Sequence, residues 1–388
     1  MQDEAAFDRF AKSFLGLDRS DRVFEQVSAA RRVYLDTTAT ALMPEVVWRG
    51  LERYLESACA NSHTEADRAG RDTTRAIEAS RDAIGRLVGY QSERDVVLFT
   101  ANGATGAINF LARALFPAEL RSVNKRFPGG APPELLAALR SGLGDEGRGV
   151  LDEMLERPLV VVTMMEHHSN LIPWMEAVGH HNLRAVRVDP ATGALDLSDL
   201  ARVLETEGRR VRLVAVTGVS NVTGIVNPVH RIAAMAHAVG AQILVDGAQW
   251  VPHARVEMHG AEPGDSLDYL VLSGHKLYAP GSRGALIGSL ETLSGRRCVT
   301  DVGGGMVEYV SINDFEIKDD VAAREEAGTP NIPGSIAMGL VAETLLRIGM
   351  DLVAEREHRL TEALVRRLER VPKIHIYGST DLDAVPRA

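Results

Sequence analysis

Residues 212–246 read RLVAVTGVSNVTGIVNPVHRIAAMAHAVGAQILVD. The stretch begins with an apolar run at 212–217 and ends with another at 242–246. Between them HRIAAMAHAVG spaces its apolar residues as a helix does. Both runs are apolar at consecutive positions, as expected of strands buried on two faces. The same rhythm extends outward. DVVLF (95–99), LVVVT (159–163), LRAVRV (183–188) and YLVLS (269–273) read as strands, while GAINFLARALF and LSDLARVLETE carry helical spacing. Strand–helix alternation of this kind predicts an α/β fold, a mostly parallel sheet sandwiched by helices.

Bulk properties narrow the function. The chain has 388 residues, 45% of them hydrophobic, and a formal net charge of −10. An acidic chain does not favour a nucleic-acid groove or an anionic membrane surface, since both require a basic face. No run of about 18 apolar residues is long enough to span a bilayer. The N-terminus, MQDEAAFDRF, is acidic and amphipathic, the wrong chemistry for a signal peptide. Cys59 and Cys298 are too few for a disulfide scaffold. The expectation is a soluble, cytoplasmic protein.

The organisation changes along the chain. Residues 1–32 read as an N-terminal helical segment, 33–290 as a large domain, and 291–388 as a linker with a smaller α/β C-terminal domain. Residues 117–157, rich in proline, glycine and charge, interrupt the rhythm and predict a surface excursion with one or two short helices. GSIAMGLVAETLLRI places Ala337, Val341, Leu345 and Ile348 on one helical face, and Gly349 interrupts it. A second helix carries Leu360, Leu364, Leu368 and Val371 and is ended by Pro372, after which KIHIYG alternates like a strand. A helix followed by a lone strand does not close a domain, so the small domain reads as truncated.

Polar residues gather where the predicted strands end, which is where parallel α/β sheets bind ligands. QILVDGAQW delivers Asp246 and Gln249, VAVTGVSN delivers Asn221, VVVTMMEHH delivers His167, and VLSGHK delivers Ser273, His275 and Lys276. NGATGAIN supplies a glycine-rich turn, Gly103–Ala104–Thr105, opening a helix whose free N–H groups suit a phosphate. Taken singly, each has a structural alternative: an aspartate after a strand caps helices, a histidine is often a satisfied core residue, and the GGG at 303–305 is a turn. The paired histidines at 167–168 and 180–181 lack the carboxylate or cysteine that would complete a metal-ligand spacing, so no metal is expected. Taken together, a phosphate cradle, a strand-end acid, a flat imidazole and a lysine beside a buried strand are what pyridoxal phosphate requires. Its aldehyde condenses with a lysine of lowered pKa, and its ring nitrogen needs a carboxylate to remain protonated.

These stretches resemble a known family. YLDTTATALMP, ANSH, NGATGAIN, MEHHSNLIPW, VSNVTGIVNP, LVDGAQWVPH, LSGHKLYAPG and EAGTPN follow the order of the fold-type I pyridoxal-phosphate enzymes of the class V aminotransferase group, closest to cysteine desulfurases of the Suf type. The resemblance implies that Lys276 binds the cofactor covalently and shuttles protons. It places Asp246 at the pyridine nitrogen, Gln249 at the ring 3-hydroxyl, His167 stacked over the ring, and Asn221 near the 3-hydroxyl and substrate. It assigns the phosphate to Thr105, Ser273 and His275, in the turn of Gly103 and Ala104. It also implies an amino-acid substrate, a homodimer with EAGTPN near the site or its partner, and a sulfur-acceptor protein. The implied reaction is removal of sulfur from L-cysteine as persulfide. A C–S lyase, epimerase or aminotransferase reaction, or a non-catalytic assembly role, are the alternatives on the same scaffold. Thr37 stands where the family has asparagine, and Asn102 and Gly106 stand where it has arginine and glutamate. Neither Cys59 nor Cys298 lies in the context of the family's nucleophilic cysteine, so both are expected to be structural.

Overall fold

A computed structural model describes residues 4–14, 34–62, 66–116, 121, 126–127, 132–156, 158–294 and 301–387. In chain order the longer helices are α1 (Glu4–Lys12), α2 (Glu45–Ser57), α3 (Arg68–Leu87), α4 (Gly103–Leu115), α5 (Pro133–Gly142), α6 (Asp145–Glu156), α7 (Ile172–Val178), α8 (Leu197–Glu207), α9 (Val229–Ala238), α10 (Leu290–Ser294), α11 (Val321–Glu325), α12 (Ile332–Ile348) and α13 (Met350–Leu368). The strands are β1 (Asp95–Thr100), β2 (Leu159–Thr163), β3 (Leu183–Val186), β4 (Val211–Thr217), β5 (Gln242–Asp246), β6 (Tyr269–Ser273) and β7 (Gly284–Ser289), with a separate hairpin of β8 (Val307–Val310) and β9 (Phe315–Ile317).

The seven strands form one sheet in the order β1-β7-β6-β5-β4-β2-β3. All neighbouring pairs are parallel except those made by β7, which runs antiparallel to β1 and β6. Alternate residues of each strand enter two different cores. Val214 and Val216 of β4 join the larger apolar cluster, and Leu213 and Ala215 join the smaller one. Strands clothed on both faces therefore carry apolar residues at every position. Burying each large side chain stabilises by roughly 1.5–3 kcal/mol.

Local chemistry sets the helix ends. Asp196 accepts from the N–H groups of Ser198 and Asp199 at the start of α8, and Asn331 accepts from Gly334 N–H at the start of α12. Gly349 has φ +89° and breaks the chain between α12 and α13. Ala337, Val341, Leu345 and Ile348 are buried as the spacing of α12 predicts.

Other expectations are corrected. Strand β3 stops at Val186, and Val188 makes only an isolated bridge to Leu195. KIHIYG is not a strand: Ile374 and Tyr377 are exposed, and no strand pairs with it among the described residues. Alternation without a neighbour to complete the hydrogen-bond ladder does not make a strand. The leucine stripe of α13 is also not a buried face, because Leu360 and Leu364 are 70% and 56% exposed and the helix ends before Val371. Leu360 and Leu364 continue the face of buried Val353, seven and eleven residues on, but in the second half of α13 only Val365 is buried. The antiparallel strand β7 has no counterpart in the sequence reading, because its two glycines mask the strand pattern. Within 117–157 the two short helices are α5 and α6, and the remainder lies partly outside the described residues.

Candidate active site

A cavity of about 380 Å³ opens at the carboxyl ends of the parallel strands. Its walls include Ala104, Thr105, His167, Asn221, Asp246, Gln249, Ser273, His275 and Lys276. Residues as far apart as Asp36 and Lys276 thus meet, those from His167 onward because β2, β4, β5 and β6 all point their carboxyl ends the same way.

Gly103 is the one predicted residue outside the lining, and it acts through its backbone. Its φ is +64°, and a side chain there would bring Cβ to 2.8 Å from Ser273 Oγ. That close approach lets Ala104 N–H donate to Ser273 Oγ at 2.9 Å. The Thr105 and Ser169 hydroxyls pair at 2.7 Å, and Gln249 Nε2 donates to the Thr38 carbonyl at 2.8 Å. The cradle is therefore internally hydrogen-bonded, where the sequence alone suggested a turn of free N–H groups. Residues 40–41 close over the lysine loop: the His275 carbonyl accepts from the Ala41 N–H at 2.9 Å and from the Thr40 hydroxyl at 3.2 Å.

Electrostatics distinguish the polar groups. Asp246 is buried, and burial holds its carboxyl above the usual range against the Ala248 N–H, which donates to Oδ1 at 3.0 Å. Burial lowers the Lys276 ammonium, which Asp246 partly counteracts. Among the described residues Lys276 Nζ has no hydrogen bond or ion pair within 4 Å. His167 is lowered by burial and then by Lys276, and His275 likewise by burial and then by Lys276. Ser169 N–H donates to His167 Nδ1 at 3.1 Å, which leaves the proton of the neutral ring on Nε2.

The sequence reading missed Asp36, Thr38, Ser169 and Thr217 as lining residues. Ser169 had a local signal, two positions beyond His167 and within the same motif; the others reach the cavity only through tertiary packing. A second cavity of about 390 Å³ adjoins the first, sharing Thr38, Val219, Asn221 and Gln249, and it is where Thr37 lies. Cys59 is exposed and lines neither cavity, Cys298 lies outside the described residues, and Thr329 is exposed rather than in the cavity wall.

A mostly parallel sheet with a lysine, an acid and an imidazole around one strand-end cavity defines a ligand-binding α/β protein of catalytic type. The aminotransferase class-V family profile matches residues 33–125 and 148–386, and the chain belongs to that family. It is 31% identical over 355 residues to a probable cysteine desulfurase of Halalkalibacterium halodurans, covering 91% of this chain and 76% of the relative. It is 32% identical over 360 residues to a cysteine desulfurase of Dickeya dadantii, with the same coverage of each chain. Among solved structures, the apo cysteine desulfurase of Thermococcus onnurineus NA1 superimposes with a TM-score of 0.70 at 27% identity, covering 90% of this chain and 76% of that one.

Proposed function

We propose that this chain is a pyridoxal-phosphate-dependent enzyme of the cysteine desulfurase type, moving the sulfur of L-cysteine onto an acceptor thiol as persulfide and releasing alanine. The observation that carries the reading is Lys276, a lysine without a hydrogen bond or ion pair among the described residues and disfavoured as an ammonium by burial, in one cavity wall with buried Asp246. The family membership and the named relatives support the same reading.

The donor set fits the cofactor. Lys276 Nζ would bind it covalently, and Asp246, whose Oδ2 has no partner among the described residues, would hold a proton at the ring nitrogen. His167 would cover the ring, Asn221 and Gln249 would lie toward its hydroxyl, and Thr105, Ser273 and His275 would surround its phosphate. When bound, pyridoxal phosphate supplies an electron sink for the bond broken at the substrate α-carbon. The protein's own part is proton management. Lys276 Nζ, its charged form disfavoured by burial, is the group placed to accept and return a proton. The neutral His167 ring presents Nε2–H, and Asp246, shielded from water, keeps its proton interaction local.

The test is direct. Purified protein mixed with pyridoxal phosphate should take up one equivalent with a visible absorption band, run as a dimer by light scattering, and after borohydride carry the label on Lys276. With an acceptor thiol supplied, L-cysteine should then yield alanine and the persulfide of that acceptor. Pyruvate would assign a C–S lyase instead, and a label on another lysine would overturn the site.

A further inference from the structure

Directly before His167 lies a carboxyl group that the proposed chemistry does not use. Glu166 sits beneath the cavity, and three groups from different parts of the sheet converge on it. Oε1 accepts from the Thr163 hydroxyl at 2.6 Å and from the Thr217 N–H at 3.0 Å, and Oε2 accepts from Asn170 Nδ2 at 2.6 Å. Thr163 ends β2, Thr217 ends β4, and Asn170 belongs to the turn that carries His167. The Asn170 N–H also donates to the His167 carbonyl at 2.8 Å. The ring of His167 is held from the same turn by Ser169.

The polarity of this junction is fixed from outside. Asn170 Oδ1 accepts from the indole N–H of fully buried Trp174 at 3.0 Å, so its amide cannot turn over without orphaning that donor. The Thr163 hydroxyl accepts from Met165 N–H at 3.1 Å, which leaves its own proton for Glu166. Only a side chain that accepts at both ends satisfies all three donors. Burial pushes the Glu166 carboxyl up to about 8 against these hydrogen bonds, so above that pH it is the acceptor-only carboxylate, and below it the carboxyl proton meets only donors among these three partners.

We propose that Glu166 is a positioning residue whose acceptor-only carboxyl locks the His167 turn to the ends of β2 and β4, and so fixes the imidazole over the cavity. The inference rests on the reading that His167 serves the cofactor site, and it predicts a specific polarity swap. In Glu166→Gln the carbamoyl oxygen can keep Thr163 and Thr217, but its NH2 then faces the Asn170 NH2 as donor against donor. In Asn170→Asp two carboxyl groups face each other at the same short distance. Together, Glu166→Gln with Asn170→Asp reverses the direction of one hydrogen bond. The introduced amide then donates, the introduced carboxylate accepts, and Trp174 keeps its acceptor.

Thermal unfolding and the NMR titration of His167 in cofactor-free protein, and pyridoxal phosphate affinity from the visible band, read the result. Each single variant is expected to lower the midpoint, to move the His167 titration away from that of the parent, and to weaken the cofactor about tenfold or more. The double variant is expected to return all three to near the parent, with affinity within about twofold. A silent Glu166→Gln, or a double variant no better than the worse single, overturns the inference. If the parent itself fails to take up pyridoxal phosphate, the cofactor reading falls, while the midpoints and the His167 titration still decide the role of Glu166.

Discussion

Lys276 lies three residues beyond the end of β6, half-buried and without a partner among the described residues. Burial penalises its ammonium, so its folded-state pKa lies below that of the unfolded chain. Where the pKa is depressed in this way, the unfolded state binds more protons between the two values, and stability rises with pH across that interval. At neutral pH the lysine therefore destabilises the cofactor-free fold. Lys276→Met is expected to raise the unfolding temperature of cofactor-free protein at pH 7 and to flatten its rise toward pH 10, while abolishing cofactor uptake. Thermal scans at several pH values check this, and a lower midpoint than the parent at pH 7 would count against it. The sequence made this lysine a candidate through its neighbours Ser273 and His275; that burial outweighs the nearby Asp246 charge is visible only in the folded chain.

At the level of elements, the cavity-facing end of α4 depends on β7. The first turn of α4 presses so closely on β7 that a Cβ at Gly284 would lie 2.3 Å from the backbone of Gly103. Gly103 in turn touches Ser273, so strand, turn and hydroxyl form one stack. Gly284→Ala must push the turn outward and lengthen the bond from Ala104 N–H to Ser273 Oγ. Overpacking of this kind costs about 1–3 kcal/mol. The variant is expected to unfold at lower urea and to bind pyridoxal phosphate more weakly while its visible band, once saturated, is retained. Parent-like urea and binding curves would show that the turn has room to spare. NGATGAIN marked the turn in the sequence, but nothing local indicated that a glycine 181 residues away makes room for it.

Over the whole molecule, one buried ionic junction ties distant parts of the described chain together. Glu326, just after α11, pairs with Arg81 of α3 at 2.7 Å and with Arg283 beside β7 at 3.2 Å, and it accepts from the Phe99 N–H of β1 at 2.7 Å. The two guanidinium groups also lie 5.1 and 5.5 Å from the centre of the Phe99 ring. The side chains of all three ionic residues are at most 14% exposed. Removing one charge from such a junction strands the others, at a cost of about 3–5 kcal/mol. Glu326→Gln is therefore expected to lower the urea midpoint far more than Glu343→Gln, which breaks the exposed pair with Arg86. Equal effects of the two substitutions in matched denaturation curves would refute the ranking.

The sequence by itself determined most strands of the sheet and the helices beside them. Strands covered on both faces must be apolar throughout, and helices covered on one face must carry a stripe, so β1, β2, β4, β5, β6, α4, α8, α9 and α12 were legible from local pattern. It also marked the strand-end residues, since polar side chains after apolar runs have nowhere to sit but at the sheet's end. Tertiary structure alone decided the rest. The glycines of β7 conceal a strand whose partners are remote, KIHIYG lacks a partner strand among the described residues despite its alternation, and Leu360 and Leu364 of α13 stay exposed despite their helical spacing. Glu166 is the plainest case: a glutamate beside two histidines reads as a solvated charge, until three donors from separate strand ends and turns close around it. Pattern records which face of an element is buried, whereas the partners of a buried polar group are set by long-range contacts that no local window contains.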